Sequence, residues 1–138
     1  MDYEALMKKS NIRATYQRIT ILEFLHNTKT HPTVDEIYKN IRYELPNISL
    51  ATIYKNLHIL CESNVVQEIK ILNYPSRYDS NPESHYHIIC TNCGSVIDLH
   101  YPLLIEIESL ASRLHNFTIF GHQLNIYGIC EECNQNSV

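Results

Sequence analysis

Apolar positions follow a helical period over the first sixty residues and a mixed pattern after that. Thr15 opens TYQRITILEFLHN, in which Ile19, Leu22 and Leu25 share one face. His31-Pro32 interrupts the pattern. Thr33-Val34-Asp35-Glu36 is a capping box, and it opens a short helix with Ile37 and Ile41 inward. Pro46 ends that region. Ser49 caps a third helix, LATIYKNLHILCES, with Ile53, Leu57 and Leu60 toward the core. VVQEIKI and SRYDS then read as strands joined by a turn around Asn73-Tyr74-Pro75. Three helices and a two-stranded wing predict a winged helix-turn-helix. Further on, HYHIIC alternates as a strand does. Pro102 opens a predicted helix, PLLIEIESLASRLHN, with Leu103, Ile107, Leu110 and Leu114 along one side. FTIFGHQLNIYGIC reads as strand-rich. The predicted class is α+β, with a winged-helix domain over residues 1–72 and a small α/β dimerisation subdomain over 73–138.

Charge sharpens this division. The 138 residues carry a net charge of -4, which excludes a strongly basic nucleic-acid coat protein. Residues 1–72 hold nine basic and eight acidic side chains, for +1, and residues 73–138 hold two and seven, for -5. The first part is therefore the candidate for meeting a polyanion and the second for holding cations. Hydrophobic residues at 44% allow a packed core. No apolar run is long enough to cross a bilayer, and the N-terminal MDYEALMKKS lacks the apolar stretch of a signal peptide, so a cytoplasmic location is expected.

In a winged helix-turn-helix the third helix enters the major groove. Its expected outward residues are Thr52, Tyr54, Lys55, Asn56 and His58, whose hydroxyl, amide and ammonium groups suit phosphates and base edges. Arg13 and Arg18 are candidates for flanking phosphates. By pattern alone, Lys55 and His58 fit a solvated face equally well.

Five cysteines in a chain without an export signal argue against a disulfide framework. Cys90, Cys93, Cys130 and Cys133 form two C-x-x-C pairs, which supply the four thiolates of a tetrahedral structural zinc. Gly94 allows a tight knuckle after the first pair. A redox role for either pair would need a βαβ setting that is absent. Cys61, in LHILCESN, reads as a small buried hydrophobe. His85 and His87 in HYHIIC point to one face of a strand, and Asp98 would lie on the neighbouring strand of a hairpin. Asp79 could approach from the wing or hinge, and His31 from its loop. Three imidazoles and two carboxylates suit Fe(II), Mn(II), Zn or Ni. Taken singly, the H-x-H pair also fits two ordinary strand histidines, and His31 an ordinary loop residue. His100, His115 and His122 could form another site or none; they are expected not to be ligands, with His122 the most open of the three.

The segments ATYQR, HPTVDEIY, PNISLATIYKNL, RYDSN, HYHIICTNCGSVIDLHYP and HQLNIYGICEEC resemble the ferric uptake regulator (Fur) family over nearly the whole chain, and look most like its peroxide-sensing branch (PerR). The resemblance implies a homodimeric, metal-dependent repressor that binds an AT-rich inverted repeat of double-stranded DNA. It implies a structural zinc on Cys90, Cys93, Cys130 and Cys133. It implies a regulatory Fe(II) or Mn(II) on His31, Asp79, His85, His87 and Asp98. In such proteins Fe(II) reacts with peroxide and oxidises a ligand histidine, which by motif match would be His31 or His85. Iron-responsive relatives usually carry Glu where Asp98 stands. Tyr16 replaces a proline common at that helix start. Lys55 sits where peroxide sensors often have Asn and iron sensors often Arg, which leaves the operator open.

The ligand set explains a switch in physical terms. An ion with ligands in both halves would fix their relative angle, and with it the spacing of two recognition helices on DNA. A ligand shifts such an equilibrium only by its differential affinity for the two states. Three other readings remain open. One is an iron- or zinc-responsive repressor of metal uptake without peroxide chemistry. Another is a small metal-dependent hydrolase, which would need an open coordination position and a general base that the sequence does not supply, so no enzymatic activity is expected. The third is a zinc-stapled protein-interaction domain, which leaves His31, Asp79 and Asp98 without a common role.

Overall fold

The computed structural model describes residues 1–81, 83 and 85–136. The chain divides into two compact units, residues 1–82 and 83–138. Among the described residues, no helix is long and apolar enough to cross a membrane.

The first unit contains α1 (Tyr3–Lys9), α2 (Tyr16–Asn27), α3 (Val34–Ile41), α4 (Leu50–Glu62), β1 (Gln67–Ile71) and β2 (Tyr74–Asp79). Each helix start is closed by the side chain the sequence offers. The Thr15 hydroxyl accepts from the Arg18 amide at 3.2 Å, and Ser49 accepts from the Thr52 amide at 3.1 Å. At α3 the exchange is reciprocal: the Glu36 amide donates to Thr33, and the Thr33 amide donates to the Glu36 carboxylate. Such caps contribute about 1 kcal/mol each. The core joins Ile21, Leu22 and Leu25 of α2 to Ile37 of α3 and to Ile53, Leu57 and Leu60 of α4. Ile19, expected inside, sits at the edge of this stripe, only partly buried. The sequence pattern does not predict α1, because seven residues with Met7 alone buried give no periodic signal.

The wing pairs β1 with β2 antiparallel, from Gln67↔Asp79 to Ile71↔Tyr74, with an irregularity between Ile69 and Ile71. Asn73 makes the turn at φ 67°, a left-handed conformation that Asn tolerates. The expected boundary at 72/73 therefore runs through a hairpin turn, and the compact unit continues to residue 82 because β2 is held by β1. Pro75, expected in the turn, lies within β2 where the register shifts and no ladder donor is needed.

The second unit contains β3 (Tyr86–Cys90), β4 (Val96–Leu99), α5 (Ile105–His115), β5 (Asn125–Gly128) and α6 (Glu131–Asn136). Its sheet order is β4-β3-β5, antiparallel between β3 and β4 and parallel between β3 and β5. The helix expected from Pro102 begins at Ile105, where the Leu104 amide donates to the Tyr86 hydroxyl at 2.8 Å. It ends at Asn116, which takes the left-handed conformation at φ 54°. Of FTIFGHQLNIYGIC, only Asn125–Gly128 forms a strand.

One expected groove-facing residue is turned inward. Asn56 is only 5% exposed. Its side-chain oxygen accepts from Arg18 Nε at 3.1 Å, and its side-chain nitrogen donates to the Thr52 carbonyl at 2.9 Å. Arg18 also donates to the Arg13 carbonyl at 2.7 Å. Arg18 and Asn56 thus tie α2 to α4. Replacing Asn56 by Ala should leave the half-buried Arg18 guanidinium without this acceptor and destabilise the unit by about 1 kcal/mol. Urea unfolding would read this as a lower midpoint with an unchanged slope. An unchanged midpoint would return Asn56 to the groove-facing set.

Candidate metal centres and nucleic-acid interface

Helix α4 offers an exposed face at Tyr54, Lys55 and His58, with Thr52 half-buried beside its cap. Tyr54 is 55% exposed and Leu50 on the same helix 41%, so the face mixes apolar, hydroxyl and cationic groups. Arg13 is exposed, while Arg18 is half-buried in its tie to Asn56. The expected surface therefore holds Arg13, Tyr54, Lys55 and His58, with Thr52 at its margin.

In the first unit the loop after α2 brings His31 to the end of β2. His31 Nδ1 lies 3.8 Å from Asp79 Oδ2, and both residues are buried. The other Asp79 oxygen accepts from the Asn81 amide at 2.9 Å, which orients the carboxylate. Wing pairing places Asp79 there, and the break at His31-Pro32 places the imidazole. This pair is the first half of the expected regulatory set.

In the second unit β3 and β4 form the expected hairpin, with His87 directly opposite Asp98. His85 lies just before β3, its ring 4.5 Å from that of His87. Both imidazoles turn Nε2 toward one carboxylate oxygen: Asp98 Oδ1 is 3.1 Å from His85 and 3.3 Å from His87. His85 Nδ1 lies 2.7 Å from the Glu83 carbonyl. A carbonyl only accepts, so Nδ1 carries the proton and Nε2 is the nitrogen left to face the carboxylate. With its Nδ1 hydrogen on the Glu83 carbonyl, His85 turns a lone pair toward the carboxylate, an arrangement that a cation between Nε2 and Asp98 would relieve. The donor set fits a divalent ion of borderline hardness.

The four paired cysteines gather at the other end of β3. Their sulfurs all lie within 4.8 Å of one another, and none is in a disulfide. Cys93 and Cys130 sulfurs are 3.9 Å apart. Tetrahedral metal–thiolate bonds of about 2.3 Å set an S···S edge of about 3.8 Å. The knuckle after Cys90 closes with the Gly94 amide on the Cys90 carbonyl at 2.8 Å, Gly94 having φ 74°. The Cys130 amide donates to Cys90 sulfur at 3.3 Å. That bond, joined by one from the Cys93 amide, lowers the Cys90 thiol to about 6. Cys93 is also lowered, mainly by the Ser95 hydroxyl. The Cys133 thiol instead rises to about 12: Asn92 favours its thiolate, but Cys130, desolvation and the other two sulfurs outweigh that. Four crowded thiols with opposed shifts cannot all be anionic without a cation among them.

The remaining candidates keep ordinary roles. Burial pushes the half-buried Cys61 thiol up to about 11, with Glu68 and Glu62 adding to it, as suits an unreactive packing residue. His122 lies 2.7 Å from the Tyr86 hydroxyl and 3.2 Å from Glu108. His100 stacks beside His85 with ring centroids 6.4 Å apart. The sequence reading missed the groups that orient His85 and Asp79, namely the Glu83 carbonyl and the Asn81 amide. Both are backbone groups, which no residue pattern reveals.

A winged unit with an exposed recognition helix, followed by a sheet unit with a thiolate cluster and a His/Asp group, is the make-up of a DNA-binding regulator that holds metal ions. A family model described as the ferric uptake regulator family matches residues 9–127, so the chain belongs to that family. It is 45% identical over 129 residues to the peroxide operon regulator of Bacillus subtilis, covering 94% of this chain and 89% of that protein. It is 43% identical over 131 residues to the peroxide-responsive repressor PerR of Staphylococcus epidermidis, covering 95% and 87%. Among solved structures it is similar to the Campylobacter jejuni peroxide stress regulator, at 36% identity and a TM-score of 0.76, covering 96% of this chain and all of that one.

Cobalt(II) titration of the metal-free protein should give the intense near-ultraviolet charge-transfer band of a tetrathiolate, and Cys130→Ser should weaken both band and affinity. Binding requires thiolates, so affinity should fall as pH drops, and most steeply below about 6, where Cys90 too must give up a proton to bind. A pH-independent affinity would exclude the cysteines as ligands.

Proposed function

We propose that this chain is a metal-dependent, peroxide-sensing transcriptional repressor, homodimeric and cytoplasmic, and not an enzyme. The observation that carries the reading is the convergence of His85 and His87 on Asp98, with the His31–Asp79 pair in the DNA-binding unit. The similarity to peroxide regulators over some nine-tenths of the chain supports it.

In this reading the tetrathiolate Cys90, Cys93, Cys130 and Cys133 holds a structural zinc, the ion such closed sulfur sites favour. His31, Asp79, His85, His87 and Asp98 serve one regulatory ion, Fe(II) or Mn(II), suited to imidazole and carboxylate. Ligands drawn from both units couple metal occupancy to the presentation of α4. Arg13, Arg18, Thr52, Tyr54, Lys55 and His58 face the DNA, an AT-rich inverted repeat, with Arg18 limited by its tie to Asn56. Two-fold pairing is supported by the second unit, where α5 buries none of its residues and Leu110, Leu114 and Phe120 are 47%, 65% and 97% exposed.

Iron(II) held by this set would activate hydrogen peroxide, a two-electron oxidant, beside its ligands. His31 and His85 are the side chains proposed to be oxidised, one peroxide oxygen replacing a hydrogen on an imidazole carbon and the other leaving as water. An imidazole that gains oxygen loses basicity and ligand strength, so the differential affinity that favours the DNA-binding state is lost.

Mass spectrometry after anaerobic Fe(II) loading and a stoichiometric peroxide pulse tests this. One added oxygen on the His31 or His85 peptide is expected with iron and not with Mn(II). No added oxygen, with metal-dependent DNA binding intact, would favour the second reading, an iron- or zinc-responsive repressor of metal uptake.

A further inference from the structure

We propose that Arg77 is a positioning residue for the regulatory ion, and that its guanidinium clamps the left-handed turn that presents the His31 imidazole. The inference rests on the reading of His31 as a ligand. His31 has φ 51°, is buried, and precedes Pro32. A left-handed conformation costs a residue with a β-carbon about 1–2 kcal/mol. The following proline adds to the preference for extended backbone at that position. Something must hold the turn against relaxation.

Two consecutive residues of β2 do so. Arg77 Nη1 donates to the His31 carbonyl at 3.0 Å, and the Tyr78 amide donates to the Pro32 carbonyl at 3.0 Å. The second bond is available to any residue at 78 that has an amide hydrogen. The first needs a long side chain with a donor at its tip. The same Nη1 lies 3.8 Å from Glu36 Oε2, the oxygen that also accepts the Thr33 amide. The guanidinium therefore links the His31 carbonyl to the capping box that starts α3. Arg77 and Asp79 stand two residues apart on one strand and so share a face. Strand β2 would thus place both ligands of the first unit, Asp79 directly and His31 through Arg77. Without the guanidinium the His31 backbone would drift toward extended conformations and carry Nδ1 away from Asp79.

The test uses full-length, zinc-loaded protein with Arg77→Met and Arg77→Lys, and His31→Ala as reference. Mn(II) affinity is followed by the electron paramagnetic resonance of the free ion. Amide exchange over residues 28–33 is followed in protein free of manganese. Arg77→Met should weaken Mn(II) binding roughly 10- to 100-fold, as loss of a ligand-orienting partner does, and should speed exchange in that segment. Arg77→Lys should fall between it and the parent, and zinc content should not change. Adding Pro32→Ala to Arg77→Met lifts the restriction on His31 and should restore part of the affinity, which a general loss of stability would not allow. Parental Mn(II) affinity in Arg77→Met, with His31→Ala defective, would overturn the clamp and leave the ligand reading standing. Parental affinity in both would overturn the ligand reading itself. Weakened affinity with unchanged exchange and no recovery through Pro32→Ala would also overturn the clamp.

Discussion

The second unit depends on the register of one strand. His87 of β3 is opposite Asp98 of β4, and the same strand ends in Cys90, the first thiolate of the cysteine cluster. A slip of one residue would turn His87 and Asp98 to opposite faces, because side chains alternate across a strand. The knuckle prevents the slip. The Gly94 amide returns to the Cys90 carbonyl and the Cys90 amide donates to the Ser95 carbonyl, so the hairpin can close at one length only. Parallel pairing of Cys90 with Gly128 brings Cys130 to the same end of the sheet. An ion held on the four sulfurs would therefore fix the chain path that aligns two histidines with one carboxylate.

The first unit solves the corresponding problem with backbone strain rather than register. A histidine in a loop before a proline would ordinarily lie extended at the surface. Here it is 6% exposed and left-handed, and the wing strand holds it in place. Strained residues persist only where their surroundings over-determine them. The reciprocal cap at Thr33 and Glu36, the paired wing and the guanidinium of Arg77 together supply that constraint.

Much of this was legible in the sequence wherever it depended on side-chain periodicity or spacing. The caps at Thr33 and Ser49 appear where the residues predict them, the four paired cysteines lie in one cluster, and the His85 and His87 rings lie side by side. The reading failed where the outcome depended on tertiary partners. Asn56 falls on the margin between the buried and exposed faces of α4, and only the Arg18 side chain across the helix pair decides that it turns inward. The residue pattern sets a boundary at the turn around Asn73, although β2 beyond it pairs with β1. The left-handed φ at His31 leaves no mark on residue identity, since the usual signal for it is glycine.

The two ligand sets also differ in charge, and their burial follows that difference. Four thiolates around a divalent ion leave a net charge of -2. Such a group is poorly tolerated in the interior, and accordingly Cys93 is exposed and Cys130 and Cys133 are half-exposed, while backbone amides satisfy the buried Cys90. The proposed regulatory set has two carboxylates and three neutral imidazoles, so a divalent ion brings it to zero. A neutral assembly can be buried, and His31, Asp79 and His87 are all at most 6% exposed. On the proposed function, the same balance would make that set responsive: without the ion, two carboxylates among imidazoles would draw on protons or on rearrangement to recover the lost charge compensation. The thiolate set would then suit an ion held throughout, and the regulatory set one whose presence is conditional.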